Sequence, residues 1–140
     1  MAQKKILVLC TGNSCRSQIA EGYLRHFAGI KAEIFSAGIV VHGVNPLAIE
    51  TMKEDGLDIS KQTSNNIAEF RNVHFDFVIT VCDNANENCP VFSSRSRKFH
   101  HNFTDPAKAI GTVEEIKQQF RNVRIAIKSY CLNFVSAHLS

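Results

Sequence analysis

No stretch of this chain approaches the roughly 20 consecutive apolar residues that a membrane span requires. After Met1-Ala2-Gln3-Lys4-Lys5 the first apolar run is only Ile6 to Leu9, too short for the core of a secretory signal. The expectation is a cytoplasmic protein with no membrane partner. Charge of one sign is also scarce: 16 Lys and Arg against 13 Asp and Glu leave +3, scattered along the chain. That excess is too weak to argue for nucleic acid and favours at most a small anion. Internal repeats, low-complexity segments and linkers are missing, so residues 1–140 read as one domain. With 44% hydrophobic residues over 140 positions, a core can form without staples. Five cysteines in such a chain, in a reducing compartment, therefore point to catalysis or metal binding rather than to cross-links.

Lys5 to Leu9 is the pattern of a strand buried on both faces. Ile19, Ala20, Tyr23, Leu24, Phe27 and Ala28 then recur at helical spacing, and Gly29 ends that helix. Glu33 to Gly38 reads as a second strand and turn. Asn45-Pro46 starts a helix that Gly56 stops. Thr63 to Phe70 holds one short helical piece, and Asp76 to Val81 is a strong strand. Cys82 to Pro90 reads as a polar loop, and Lys98-Phe99 as the remnant of a fourth strand. Thr112-x-x-Glu115 is a capping box, followed by the stripe Ile116, Phe120, Val123, Ile127, Tyr130 and Phe134. This alternation predicts an α/β fold: three α/β/α layers around a short, about four-stranded parallel sheet.

The informative segment follows the first strand. Cys10 stands at the strand end, Arg16 comes where a helix starts, and Thr11, Gly12, Asn13, Ser14 and Cys15 lie between them. Ligands of open parallel sheets bind outside the carboxyl ends of strands. A loop feeding a helix N-terminus aims N–H groups at one point, and Arg16 adds a fork matched to a tetrahedral oxyanion. Those features also lower the pKa of Cys10 below the usual ~8.5 and make it a nucleophile. The competing reading is a buried, inert Cys10 beside a surface arginine. Ser17 either donates to the Cys10 sulfur or caps the helix.

The stretch Cys10-Thr11-Gly12-Asn13-Ser14-Cys15-Arg16-Ser17 resembles the phosphate loop of low-molecular-weight protein tyrosine phosphatases. With Gln18-Ile19-Ala20-Glu21-Gly22 it is more similar to the thioredoxin-coupled arsenate reductases of that superfamily. Ser36-Ala37-Gly38, His42 to Pro46, Asp58-Ile59-Ser60 and Asp105-Pro106-Ala107 extend the resemblance along most of the chain. It implies that Asp105 is a general acid over the loop; without it, Asp105-Pro106 would be an ordinary turn dipeptide. The acidic pair of several reductases is here Thr104-Asp105. No tryptophan precedes it, Asn102-Phe103 standing there instead.

Thr80-x-Cys82 and Asn88-Cys89-Pro90 resemble the reductases' redox segment. The resemblance implies a relay in which Cys10 attacks arsenate, Cys82 attacks Cys10, and Cys89 takes the disulfide to the surface for thioredoxin. Apart from it, Cys82 is a buried strand-end residue and Cys89 an incidental loop thiol. The implied partners are arsenate or phosphate and thioredoxin. No bound cofactor is expected, and a monomer is. Two other functions stand beside the reductase: a tyrosine phosphatase working through a phosphocysteine at Cys10, and an oxyanion-binding module without turnover. Cys15 either protects Cys10 from over-oxidation or packs under the loop, and Cys131 reads as core. Some relatives hold potassium with residues matching Asn13, Glu21, Ser36 and Thr63 plus an acid at position 65. Asn65 removes that charge, so no ion is expected, and Glu21 becomes a hydrogen-bond partner for the loop. His100-His101 reads as a solvated pair rather than metal ligands. His42 is either near the anion or an ordinary loop histidine.

Overall fold

A computed structural model describes residues 3–87, 89 and 95–139. Four strands form its sheet: β1 (Lys4–Cys10), β2 (Ala32–Gly38), β3 (Phe77–Thr80) and β4 (Arg97–His100). Their order is β2-β1-β3-β4, and all three pairings are parallel. Ile6 to Leu9 are completely buried in the centre, as the continuous apolar run predicts. The expected remnant Lys98-Phe99 is the short edge strand β4.

The helices are α1 (Arg16–Ala28), α2 (Pro46–Glu54), α3 (Asp83–Glu87) and α4 (Val113–His138). Asn45 caps α2 by accepting from the Leu47 N–H, with Pro46 at the first helical position. Thr112 and Glu115 close the capping box at the start of α4. Phe120, Val123, Ile127 and Phe134 of α4 are buried, and Cys131 lies beside them as core. Side chains alternate across a strand. Ile34 and Ser36 therefore share the face covered by α1, where Arg25 donates to the Ile34 carbonyl and Ser36 to Glu21. Phe35 points to the opposite face and meets Phe70 and Phe75 edge-on. Phe70 belongs to a 3₁₀ turn, Ile67–Phe70, which is the short helical piece expected there.

The segment after Cys82 differs from the expected loop. Asp83 to Glu87 form one helical turn, in which Asn86 N–H donates to the Cys82 carbonyl. Ala85 is the reason: it is the turn's one small apolar residue and is fully buried. Asn88 and Pro90 of the predicted redox segment lie outside the described residues. Among the described residues no helix is long and apolar enough to cross a membrane.

Candidate active site

β1 and β3 are neighbours in register, so Cys10 and Cys82 leave the sheet at the same edge. From Cys10 the chain curls before entering α1. Its carbonyls point outward, and each is taken by the surrounding shell. Cys10 O accepts from Ile39 N–H, Thr11 O from Val40 N–H, Gly12 O from His42 N–H and Ser14 O from Asn45 N–H. The Asn13 carbonyl accepts from the Gln18 amide. A trans peptide sets N–H opposite C=O, so carbonyls anchored outside turn the amides toward the centre. The segment after β2 thus makes an anion cradle out of the loop.

Asn13 takes the left-handed bend, at φ 49°, a conformation asparagine tolerates better than most residues. Its side chain holds the bend. Nδ2 donates to Ser17 at 2.7 Å and to Ser36 at 3.0 Å, and Oδ1 accepts from Asn65 N–H at 2.7 Å. Ser17 therefore fixes Asn13, and it is Cys15, whose side chain makes no capping hydrogen bond, that sits at the N-cap of α1. Glu21 supports the loop through Ser36. Gly38 is required by close approach: a Cβ there would stand 2.5 Å from Val40 O and 2.8 Å from Asn13 N. Both are backbone atoms of the cradle. Gly38→Ala is expected to destabilise the fold by about 1–3 kcal/mol, the usual cost of overpacking, and to weaken phosphate binding about tenfold. Urea unfolding with and without phosphate measures both.

Arg16 is buried and spread across the mouth of the loop. Nη1 donates to the Phe103 carbonyl at 2.8 Å, and Nη2 lies 3.6 Å from Asp105 Oδ2. Nε is buried without a protein partner among the described residues. A buried donor without an acceptor costs about 1–3 kcal/mol, which an oxyanion in the cradle would recover. Asp105 caps the turn Pro106–Lys108, accepting from Ala107 N–H at 3.0 Å. A cavity of about 220 Å³ lies between these groups, walled by Cys10, Gly12, Ser14, Cys15, His42, Asp105 and Lys108 among others. His42 thus does stand at the anion site, its ring stacked so close that a Cβ on Gly12 would meet Nδ1 at 2.5 Å.

None of the five cysteines is in a disulfide. Cys10 and Cys82 are both buried and hydrogen-bonded to each other, and their proton affinities split apart. The hydrogen bond to Cys82 and then burial raise Cys10, against the pull of Arg16. Cys82 falls to about 5, because Cys10 donates to it first of all, with help from Thr11, Ala85 N–H and Arg16. Two sulfurs this close cannot both ionise, so the pair carries one negative charge and one shared proton. Arg16 serves both sulfurs, while the Thr11 hydroxyl and Ala85 N–H add donors on the Cys82 side, so Cys82 is drawn down and Cys10, which the sequence reading makes the thiolate, is drawn up. Thr11 Oγ1 lies 3.2 Å from Cys82 Sγ and accepts in turn from Asn84. Cys15 is pushed up to about 11, chiefly by burial, and packs against the loop. Cys89 is half-buried, raised by desolvation and hydrogen-bonded to Lys98 of β4. It is not part of the Cys10–Cys82 pair.

The residues matching a potassium site do not fit the ion. Asn65 donates its amide to the Thr63 and Ser36 carbonyls, and its oxygen accepts from the Thr63 hydroxyl. Arg25 pairs with Glu21 at 2.8 Å. The oxygens are satisfied and the one carboxylate is neutralised. Nor are the two histidines simply solvated. His100 bridges Thr80 and Asp83, and His101 stacks on Phe103. Among the described residues no cluster of His, Cys, Asp or Glu could hold a metal. Residue patterns miss the role of Phe103 altogether, since its contribution to Arg16 is a backbone carbonyl that any residue would supply.

Comparison with known proteins agrees with this geometry. Residues 5–140 match the family described as low molecular weight phosphotyrosine protein phosphatase. An arsenate reductase of Halalkalibacterium halodurans is 49% identical over 124 residues, 89% of each chain. The arsenate reductase of Bacillus subtilis is 46% identical over the same share. A solved arsenate reductase in its phosphate binding state superposes with a TM-score of 0.79 at 31% identity, covering 99% of this chain and 100% of that one. An arsenate reductase in oxidized state gives 0.83 at 31% identity over 96% and 98%. The likeness runs along nearly the whole sequence, and the chain belongs to the low molecular weight phosphotyrosine protein phosphatase family.

Proposed function

We propose that this protein reduces arsenate to arsenite with electrons from thioredoxin. The observation that carries the reading is a second sulfur beside the cradle, against Cys10. A phosphatase needs one nucleophile; here a second, Cys82, is hydrogen-bonded to Cys10 and shares one proton with it. The relatives that are arsenate reductases support it.

In this reading arsenate sits on the loop amides and Arg16. Cys10 passes its proton to Cys82 along their hydrogen bond and attacks arsenic. Asp105 gives a proton to the departing oxygen, which leaves as water. Cys82 returns its proton to solvent and attacks Cys10 Sγ. The S–As bond breaks, its electron pair stays on arsenic, and arsenite leaves. The disulfide Cys10–Cys82 remains. Cys89 attacks Cys82, Cys10 leaves as thiolate, and thioredoxin reduces Cys82–Cys89 by exchange. A relay of free thiols needs a reducing compartment, so a cytoplasmic location belongs to the same proposal; so does a monomer.

The test is NADPH oxidation by the wild type with arsenate, thioredoxin and thioredoxin reductase, beside hydrolysis of p-nitrophenyl phosphate. Arsenate reduction with a kcat in the ordinary enzymatic range, about 1 s⁻¹ or more, is expected. Fast ester hydrolysis with no arsenate-dependent NADPH oxidation would make it a phosphatase instead.

A further inference from the structure

The geometry points to His100 as a positioning residue that latches α3 closed over Cys82 and so sets how often Cys89 can reach it. The inference rests on the relay proposed above.

The catalytic groups do not include His100, yet it is tied at both ring nitrogens. Nε2 lies 2.8 Å from Asp83 Oδ1, and Nδ1 lies 2.7 Å from Thr80 Oγ1. A carboxylate only accepts, so Nε2 carries a proton and donates to Asp83, while Nδ1 and the Thr80 hydroxyl share the second bond. Thr80 is buried in β3, and Asp83 is the first residue of α3. The imidazole therefore joins the sheet to the first turn of the helix. Asn102 reinforces it, accepting from the Asp83 N–H at 3.0 Å.

That turn is where the relay needs movement. Cys82 Sγ faces Thr11 and Cys10, whereas Cys89 is held against Lys98. The Ala85 N–H of the turn donates to Cys82 Sγ at 3.4 Å, so the intact turn holds that sulfur on the side of Thr11 and Cys10. The helix must unwind before Cys89 can attack Cys82 Sγ, form the Cys82–Cys89 bond and expel Cys10 as thiolate. A five-residue helix has little stability of its own. What holds it is Ala85 in the core and the contacts at Asp83, with His100 foremost. Such a latch keeps Cys82 beside Cys10 until the first disulfide exists, then yields.

Amide exchange at Asn86, whose N–H bonds the Cys82 carbonyl, reads the opening in the reduced protein. His100→Ala is expected to speed it about tenfold, the effect of losing an ion-assisted hydrogen bond. His100→Gln, which keeps a donor for Asp83, is expected to exchange near the wild-type rate, and His100→Asn, too short to reach it, like alanine. After one equivalent of arsenate, appearance of the Cys82–Cys89 disulfide should accelerate tenfold in His100→Ala relative to Cys10–Cys82 closure. Unchanged exchange in His100→Ala, or equal acceleration in all three variants, overturns the latch. Accelerated exchange with no Cys82–Cys89 disulfide in any protein, wild type included, supports the latch and overturns the relay.

Discussion

Cys82→Ser is expected to lower arsenate reduction by at least about 10³-fold while p-nitrophenyl phosphate hydrolysis stays within about tenfold of wild type, as expected when one residue serves one step and not the other. The first half follows from electron bookkeeping. Arsenite forms only when a second sulfur takes the Cys10 end of the adduct, and Cys82 is the sulfur hydrogen-bonded to it. Serine there leaves Cys10 bound to arsenic with no reductant in reach. The second half follows from the cradle, whose loop, Arg16 and Asp105 do not include Cys82. The substitution also changes where the charge resides. The largest influence raising Cys10 is its hydrogen bond to Cys82. With that gone, Arg16 and the loop favour the Cys10 thiolate, so Cys10 should titrate lower than in the wild type. In the wild type one thiolate per pair should appear as pH rises through about 5, the value for Cys82. Ultraviolet thiolate absorbance follows both titrations, with Cys10→Ser, which should abolish both activities, as the reference. Arsenate turnover by Cys82→Ser at the wild-type rate would remove the relay.

The thiol pair also marks where residue patterns stop being informative. Cys10, Arg16 and their loop are legible because a strand, a small polar turn and a helix follow each other within about twenty residues. Asn45-Pro46 and Thr112-x-x-Glu115 are legible for the same reason: their signal is local, and both caps form as expected. The turn α3 is not. Its five residues carry no helical stripe, and burial of Ala85 together with the contacts of Asp83 to His100 and Asn102 decides the matter. Position of the thiolate is likewise a tertiary property. The rule that a thiol beside a helix N-terminus and an arginine ionises early treats Cys10 alone, whereas the fold couples its proton to a sulfur 72 residues away in sequence. Asn65 is a further case. Its missing charge is visible in sequence, whereas its amide bonding to the Thr63 and Ser36 carbonyls requires the fold.

Arg16→Lys should cost at least about 10³ in kcat/KM for arsenate, roughly 4 kcal/mol at 1.36 kcal/mol per tenfold. The charge is conserved, so the loss measures geometry. In the wild type Nη1 is committed to the Phe103 carbonyl and Nη2 lies 3.6 Å from Asp105, while Nε is buried without a protein partner among the described residues. A lysine ammonium is a point charge with no planar fork. It cannot bond Phe103, face Asp105 and present a directed donor to the oxyanion at once. Removing one donor of this kind costs about 10²–10³, and here the Phe103 carbonyl and Asp105 lose their partner too. Since the lost donor acts on the developing charge as well as on bound arsenate, both a higher KM and a lower kcat are expected. Steady-state kinetics with arsenate separates them. A loss confined to KM would mean that Arg16 only collects the anion, and that the amides turned inward by the outer shell stabilise the transition state without it.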